Sequence, residues 1–270
     1  MTSWLKLNVT KPIEKKNTLL FETTDLGFCS QFNQYLYAVL YAENEGIPLT
    51  VNDTANAVSI RFPIIRETFI KASGITFTDS QILFATSLKK RIPQMKEFLK
   101  DIRPESFRFI AHELFQWNPS LLEKVENILS TSSVPSTYDI GVHIDSDSEM
   151  KAVPINKYID EIKSYQTKEK KNKLQIVVMT DSPQKLLEFK LKKDPSWTIY
   201  SLGVPPFDFN TINSRTRINA YLNFISELVL IQRAEHIVCS LLSNVGRFLY
   251  LTAEDSTSVA SVDIPKFHPF

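Results

Sequence analysis

The sequence predicts an α/β protein whose sheets are parallel. Three observations carry this. From Tyr138 onward, short apolar runs such as "DIGVHI", "LQIVVMT" and "HIVCS" alternate with segments whose apolar residues recur at helical spacing. That alternation is the signature of a parallel sheet covered by helices on both faces. A similar strand–helix–strand pattern occurs earlier, around residues 18–51, so two lobes are expected.

Residues 1–16 are mixed in character, end in "EKK" and are read as an N-terminal arm. The N-terminal lobe is placed at 17–135. It opens with "TLLFETT", a threonine-rich strand candidate, and Gly27 breaks that strand. Ser30 is a candidate cap for the helix that follows, where Phe32, Tyr35, Leu36 and Val39 share one face. Gly46 stops the helix and "IPLTV" returns as a strand. From Phe62 to Ser130 the pattern is mostly helical, and Asn118-Pro119 is a helix start, because proline there gives up only an orphan N–H. The turn-rich "STSSVPST" marks the lobe boundary. The C-terminal lobe, 136–255, then runs strand, helix, strand in order. Its helices include "PINKYIDEIKSYQ", "DSPQKLLEFKLKK" capped by Ser182, and "NAYLNFISELVLIQRA" with Tyr221, Phe224, Ile225 and Leu228 aligned. Residues 256–270 are read as a C-terminal tail.

Composition narrows the function. Hydrophobic residues make up 43% and charged residues 23% of the 270, ordinary for a globular protein. A net charge of +1 provides no field for nucleic acid. The two cysteines, Cys29 and Cys239, form neither a disulfide framework nor a metal cage. No run is long enough to span a membrane and "MTSWLKLNVTKPIEKK" lacks a signal-peptide core, so a soluble, intracellular protein is expected.

In an open parallel sheet, ligands bind beyond the carboxyl ends of the strands. Three such ends are legible: His143 with its acidic loop, Thr180-Asp181-Ser182, and "SLLSN" from Ser240 to Asn244. The last leads into a helix, whose free N–H groups and dipole attract an anion. The alternative is that Ser243 or Asn244 only caps that helix. Arg247, one turn further on, either backs a phosphate or pairs with Glu235.

These pieces, taken in order, resemble the α-1,6-fucosyltransferases of core glycans and Nod factors. "FISELVLIQRAEHIVCSLLSNVGRFLYLT" is similar to the end of that family's donor lobe. "DIGVHI" resembles its Gly-Val-His strand, "IVVMTDSPQKLLEF" its strand–turn–helix, and "LGFCSQFNQYLYAVLYA" its glycine-rich turn and following helix. The resemblance implies a GT-B-like fold of two Rossmann-like lobes, with the acceptor side in the first and the donor site in the second. It implies a guanosine-diphosphate-fucose co-substrate, a glycan acceptor and no resident cofactor or metal. By position, donor contacts fall on His143, Glu227, Ser243 and Asn244, with Gly27 and Phe28 near the nucleotide.

The sequence departs from that pattern directly after His143. The family reads hydrophobic-Arg-Arg, and an arginine there offsets charge on the leaving diphosphate, a large contribution to rate. Here Asp145 and Ser146 occupy the two positions. Three readings stay open. Activity has been lost, leaving a carbohydrate-binding or scaffold protein. Or another cation, Arg215, Arg217 or Lys151, substitutes, or Mg²⁺ or Mn²⁺ binds Asp145 and Asp147. Or the loop is solvated surface. No catalytic base is assigned.

Overall fold

The computed structural model describes residues 19–22, 28–52, 75–77, 86–87, 107–108, 111–112, 117–145, 153–203, 214–254, 257–265 and 267. The chain divides into two compact units, one of residues 1–103 with 269–270 and one of residues 104–268. Each carries its own parallel sheet, as the sequence predicts.

In the first unit, β1 (Leu19–Glu22) is followed by α1 (Phe28–Glu45) and β2 (Leu49–Asn52). Strand β1 pairs in parallel with β2, and two further strands, β3 (Ile75–Phe77) and β4 (Thr86–Ser87), complete the order β3-β2-β1-β4. Helix α1 begins at Phe28, so Ser30 lies inside its first turn and does not cap it. Gly46 ends it as expected: its φ of 64° is left-handed, and the next N–H, of Ile47, returns 2.9 Å to the carbonyl of Ala42. Phe32, Tyr35, Leu36 and Val39 are all buried, and Tyr35 packs on Phe21 with ring centroids 5.8 Å apart. The segment containing β3 and β4 reads as helical by spacing. The structure corrects this at Ile75–Phe77 and Thr86–Ser87, where pairing to existing strands outweighs local periodicity.

The second unit contains α2 (Pro119–Ser130), β5 (Ile140–His143), α3 (Ile155–Lys168), β6 (Leu174–Met179), α4 (Pro183–Lys192), β7 (Trp197–Tyr200), α5 (Ser214–Gln232), β8 (His236–Cys239), α6 (Asn244–Thr252) and β9 (Ser258–Ser261). Two helix starts follow the sequence. The Asn118 side chain accepts from Ser120 N–H and the Ser182 side chain from Lys185 N–H, each with proline in the first turn. Helix α2 packs on α5, inside the second unit, although the turn-rich stretch after it placed it in the N-terminal lobe. The tail expected at 256–270 is also corrected. Ser258–Ser261 forms an edge strand paired to β8 from His236↔Ser258 to Cys239↔Ser261.

The five parallel strands run β7-β6-β5-β8-β9. The chain therefore starts in the middle, winds outward through β6 and β7, then crosses back to β8 and β9. On one face Ile140 and Val142 pack with Ile155, Tyr158, Ile159 and Ile162 of α3, Phe189 of α4 and Trp197. Trp197 keeps its indole N–H satisfied by Gln166 at 2.8 Å. On the other face α5 lies so close to β5 that a Cβ on Gly141 would meet the carbonyl oxygen and Cγ2 of Ile231 at 3.0 Å. At the amino ends of the strands, Lys171 bridges Asp139 and Glu235 at 2.5 Å each, and Tyr165 stacks on His236 at 4.4 Å.

Helix α6 approaches β8 still more closely. A Cβ on Gly246 would stand 1.8 Å from the Ser240 carbonyl oxygen, a backbone atom with no room to yield. Replacing Gly246 with Ala is expected to destabilise the protein by about 3 kcal/mol or more, seen as a lowered urea midpoint. An unchanged midpoint would show that α6 shifts freely against β8.

Candidate functional site

The strand order fixes where a ligand fits. Sequence order reverses between β5 and β8, and the crevice outside the carboxyl ends of those two strands is the switch point of the sheet. His143 ends β5, Thr180-Asp181-Ser182 follows β6, and Ser240 to Ser243 follow β8. All three strand ends expected from the sequence therefore sit on one edge.

The side chains at that edge come together through the packing of α5. Gly141 lies against Ile231. Two residues along the strand, His143 is on the same face as Gly141; one turn back along α5 comes Glu227. The register places His143 and Glu227 toward the same end of β5 and α5, and the charge of Asp181 acts on each. Both side chains are buried, 5% exposed for His143 and 3% for Glu227. Among the described residues, the Nδ1 of His143 and one carboxyl oxygen of Glu227, Oε1, have no hydrogen-bond partner. Two buried polar atoms left open at a switch point are what a polar ligand would satisfy.

Burial also decides their protonation. It pushes the Glu227 carboxyl up to about 8, helped by the negative charge of Asp181. It pushes the His143 imidazole down to about 4, against the pull of Asp181 in the other direction. At neutral pH the pair is therefore a carboxylic acid and a neutral imidazole, and neither repels an anion.

The turn after β8 differs from the expected open phosphate cradle. Ser243 caps α6, its hydroxyl accepting from Val245 N–H at 3.3 Å. The N–H groups of Leu241 and Leu242 are taken by the carboxylate of Asp263, at 3.0 and 3.2 Å. The same carboxylate accepts from the hydroxyls of Ser240 and Ser261 and from its neighbour Ile264 N–H. Burial raises the Asp263 pKa, but the bonds from Ser240, Ser261, Ile264 and Leu242 outweigh it and hold the carboxyl below its ordinary value. The sequence reading missed Asp263 because it lay in the presumed tail. Its one signal is its place, two residues beyond a strand-like "SVAS". Arg247 does not pair with Glu235. Its Nε donates to the Leu241 carbonyl at 3.0 Å, which holds the guanidinium at this same turn.

The other expected residues are distributed as follows. Asn244 is exposed at the start of α6. Phe28 is buried at the start of α1 in the first unit, and Gly27 lies outside the described residues. Asp145 lies two residues beyond the end of β5, and its carbonyl accepts from the Lys185 ammonium at 2.7 Å; Asp147 and Lys151 lie outside the described residues. Arg215 and Arg217 fall in the first turn of α5. Among the described residues no cluster of three or more His, Cys, Asp or Glu side chains is placed to hold a metal. Two cavities, of about 270 and 330 Å³, lie at the opposite end of the sheet, around Tyr138, Arg233 and Glu235. They do not touch this edge. Among the described residues no helix is long and apolar enough to cross a membrane.

Comparison with known proteins agrees with this architecture. No protein-family model and no curated protein sequence matches the chain. Solved structures do. NodZ α-1,6-fucosyltransferase soaked with GDP-fucose is 13% identical, with a TM-score of 0.56 over 88% of this chain and 93% of that one. A point mutant of Arabidopsis thaliana FUT1 in complex with GDP is 12% identical, with a TM-score of 0.52 over 92% of this chain and 73% of that one. POFUT1 in complex with GDP is 9% identical, with a TM-score of 0.52 over 93% of this chain and the whole of that one. At these identities the likeness establishes the fold: the chain has the GT-B-like architecture of fucosyltransferases.

Two outcomes follow from the site's electrostatics. Between pH 6.5 and 8, folded Glu227 keeps a proton that the unfolded chain, with an ordinary value of 4.5, has released. Stability conferred by that proton is present at low pH and lost as pH rises through about 8, so it falls by about 1–2 kcal/mol across this window. His143 and His236, both lowered to about 4, act with the opposite sign between about 4 and 6.5 and are silent above it. Urea denaturation at the two pH values should show the fall in the wild type and a flat response in Glu227→Gln. Asp263→Ala, which leaves the Leu241 and Leu242 N–H groups without their acceptor, should cost about 2–4 kcal/mol in the same assay.

Proposed function

We propose that this chain is a fucosyltransferase-like glycosyltransferase. It binds a nucleotide-diphosphate sugar, GDP-fucose by the likeness, at the carboxyl edge of the second unit's sheet. It passes the sugar to a glycan hydroxyl with inversion. The observation that carries this reading is the pair of open buried atoms on His143 and Glu227 at the switch point of a fold shared with fucosyltransferases. Those structures were obtained with GDP-fucose or GDP bound.

In this reading the donor's polar groups meet the neutral imidazole of His143 and the protonated carboxyl of Glu227, which can donate as well as accept. The acceptor oxygen attacks the anomeric carbon in line as the bond to the diphosphate breaks, and the leaving group gains negative charge. This reading assigns that charge to Arg247, whose Nε donates to the Leu241 carbonyl, and to Asn244 at the start of α6. Ser243 serves the site indirectly, by capping the helix on which both stand. Arg215 and Arg217 are further phosphate contacts of this proposal. The first unit is assigned the acceptor.

A second reading, a non-catalytic carbohydrate-binding or scaffold homologue, is favoured by one observation. The position after Ile144, where the resembled family carries an arginine, holds Asp145, a carboxylate that repels a diphosphate. The readings separate in two measurements. A thermal-shift titration with GDP, with and without Mg²⁺ or Mn²⁺, should raise the melting temperature; at a hundredfold excess over Kd the gain is about 2.7 kcal/mol. GDP-fucose should then be consumed, releasing GDP, in the presence of a glycan acceptor. A GDP shift without turnover supports the non-catalytic homologue, and no shift with any nucleotide removes the donor site. A shift that needs metal points to Asp145 and Asp147.

A further inference from the structure

The turn after β8 contains a relay that runs from β9 to α6. Asp263 reaches this turn because β9 pairs with β8 as far as Cys239↔Ser261, and the Val262 N–H then donates to the Cys239 carbonyl at 3.0 Å. One oxygen of its carboxylate, Oδ1, accepts from Leu241 N–H at 3.0 Å. The other, Oδ2, accepts from Leu242 N–H at 3.2 Å and from the Ser240 hydroxyl. The carbonyl of the same Leu241 accepts from Arg247 Nε, also at 3.0 Å. Leu241 is therefore held by the carboxylate through its N–H and holds the guanidinium through its C=O. The preceding carbonyl, of Ser240, lies directly under Gly246, so the turn has little room to rotate as a whole. Among the described residues the Leu241 bond is the one hydrogen bond of the Arg247 side chain, and no carboxylate forms an ion pair with it. An arginine aimed in advance loses less rotamer freedom when an anion binds, which strengthens binding without any new contact.

We propose that Asp263 is a positioning residue for the diphosphate: by fixing Leu241 it aims the Arg247 guanidinium at the β-phosphate of the donor. This rests on the reading of the edge as a nucleotide-diphosphate site with Arg247 as a phosphate contact. Asp263 itself does not touch the ligand in this arrangement. Its charge would repel a diphosphate, but five donors are directed at it, the hydroxyls of Ser240 and Ser261 and the N–H groups of Leu241, Leu242 and Ile264. Those bonds stabilise the carboxylate where it stands and order the turn around it.

GDP and GMP differ only in the β-phosphate, so their affinities isolate the group assigned to Arg247. Isothermal titration calorimetry on the full chain compares the wild type with Asp263→Asn, Arg247→Met and the double variant. Asparagine keeps the size of aspartate but has one acceptor oxygen in place of two, so it cannot hold both N–H groups and both hydroxyls. GDP affinity is expected to fall about 5- to 30-fold in Asp263→Asn and about 10- to 100-fold in Arg247→Met, and no further in the double variant than in Arg247→Met alone. GMP affinity should stay within about twofold throughout. Loss of charge does not account for such a fall, because removing a carboxylate by itself favours a diphosphate. An equal loss for GDP and GMP in Asp263→Asn, the mark of a turn that merely unravels, overturns the proposal. Additive losses in the double variant do the same, as does wild-type GDP affinity in Arg247→Met. A gain in GDP affinity in Asp263→Asn also overturns it, by making the carboxylate a competitor of the phosphate. If Asp263→Asn does not fold, Ser261→Ala takes its place with the same criteria and an expected GDP loss of about two- to fivefold, since it removes one donor to the carboxylate and keeps the charge. A wild-type chain that binds neither nucleotide removes the site reading and the proposal with it. A wild-type chain that prefers GDP while the variants are unaffected removes the proposal alone.

Discussion

The close approach of α5 to β5 is the constraint on which the site depends. It is possible because residue 141 is glycine: any side chain there would press on the Ile231 backbone at 3.0 Å. With the helix that near, His143 on the same face of the strand and Glu227 one helical turn before Ile231 are both buried. Neither side chain could be buried there alone without cost, since burial of an ionised carboxylate is strongly unfavourable. The pair is tolerated because each takes its neutral form, the acid protonated and the imidazole unprotonated. A packing constraint in the sheet thus sets the chemistry at its edge.

Charge at that edge is divided by strand. On the β8 side the anion-binding geometry of the turn is already satisfied by Asp263, which ties β9 to the turn that leads into α6. The backbone there is ordered by an internal carboxylate, beside which the Arg247 guanidinium is held by the Leu241 carbonyl. On the β6 side the Lys185 ammonium reaches the end of β5 and donates to the Asp145 carbonyl. The acidic loop, read alone, argues against a diphosphate.

Much of this was legible in the sequence because the signals were local. The strands of the second unit are runs of Ile, Val and Leu bounded by polar residues. The helix starts at Asn118-Pro119 and Ser182-Pro183 follow from the chemistry of a side-chain cap beside a proline. His143 and the residues from Ser240 to Asn244 were recognised as strand ends, and Glu227 by resemblance to a family pattern. The misreadings share a cause. The strands at Ile75–Phe77, Thr86–Ser87 and Ser258–Ser261 are short, and each exists because a neighbouring strand offers its free edge. Short segments carry too few residues for periodicity to identify them, and pairing to a distant strand leaves no local mark.

The sequence by itself determined the class: alternating strands and helices with buried apolar runs have one economical packing, a parallel sheet between helices. It also determined which residues stand at strand ends, since those lie where an apolar run stops. Only the tertiary structure decided which of them meet. Strand order placed the switch point between β5 and β8, and helix packing buried His143 and Glu227 near that edge. Folding back of the last strand brought Asp263 to the turn after β8, and α4 delivered Lys185 to Asp145 across a strand boundary. These contacts join residues far apart in the chain, and their partners are set by the geometry of the whole sheet, which no local stretch of sequence encodes.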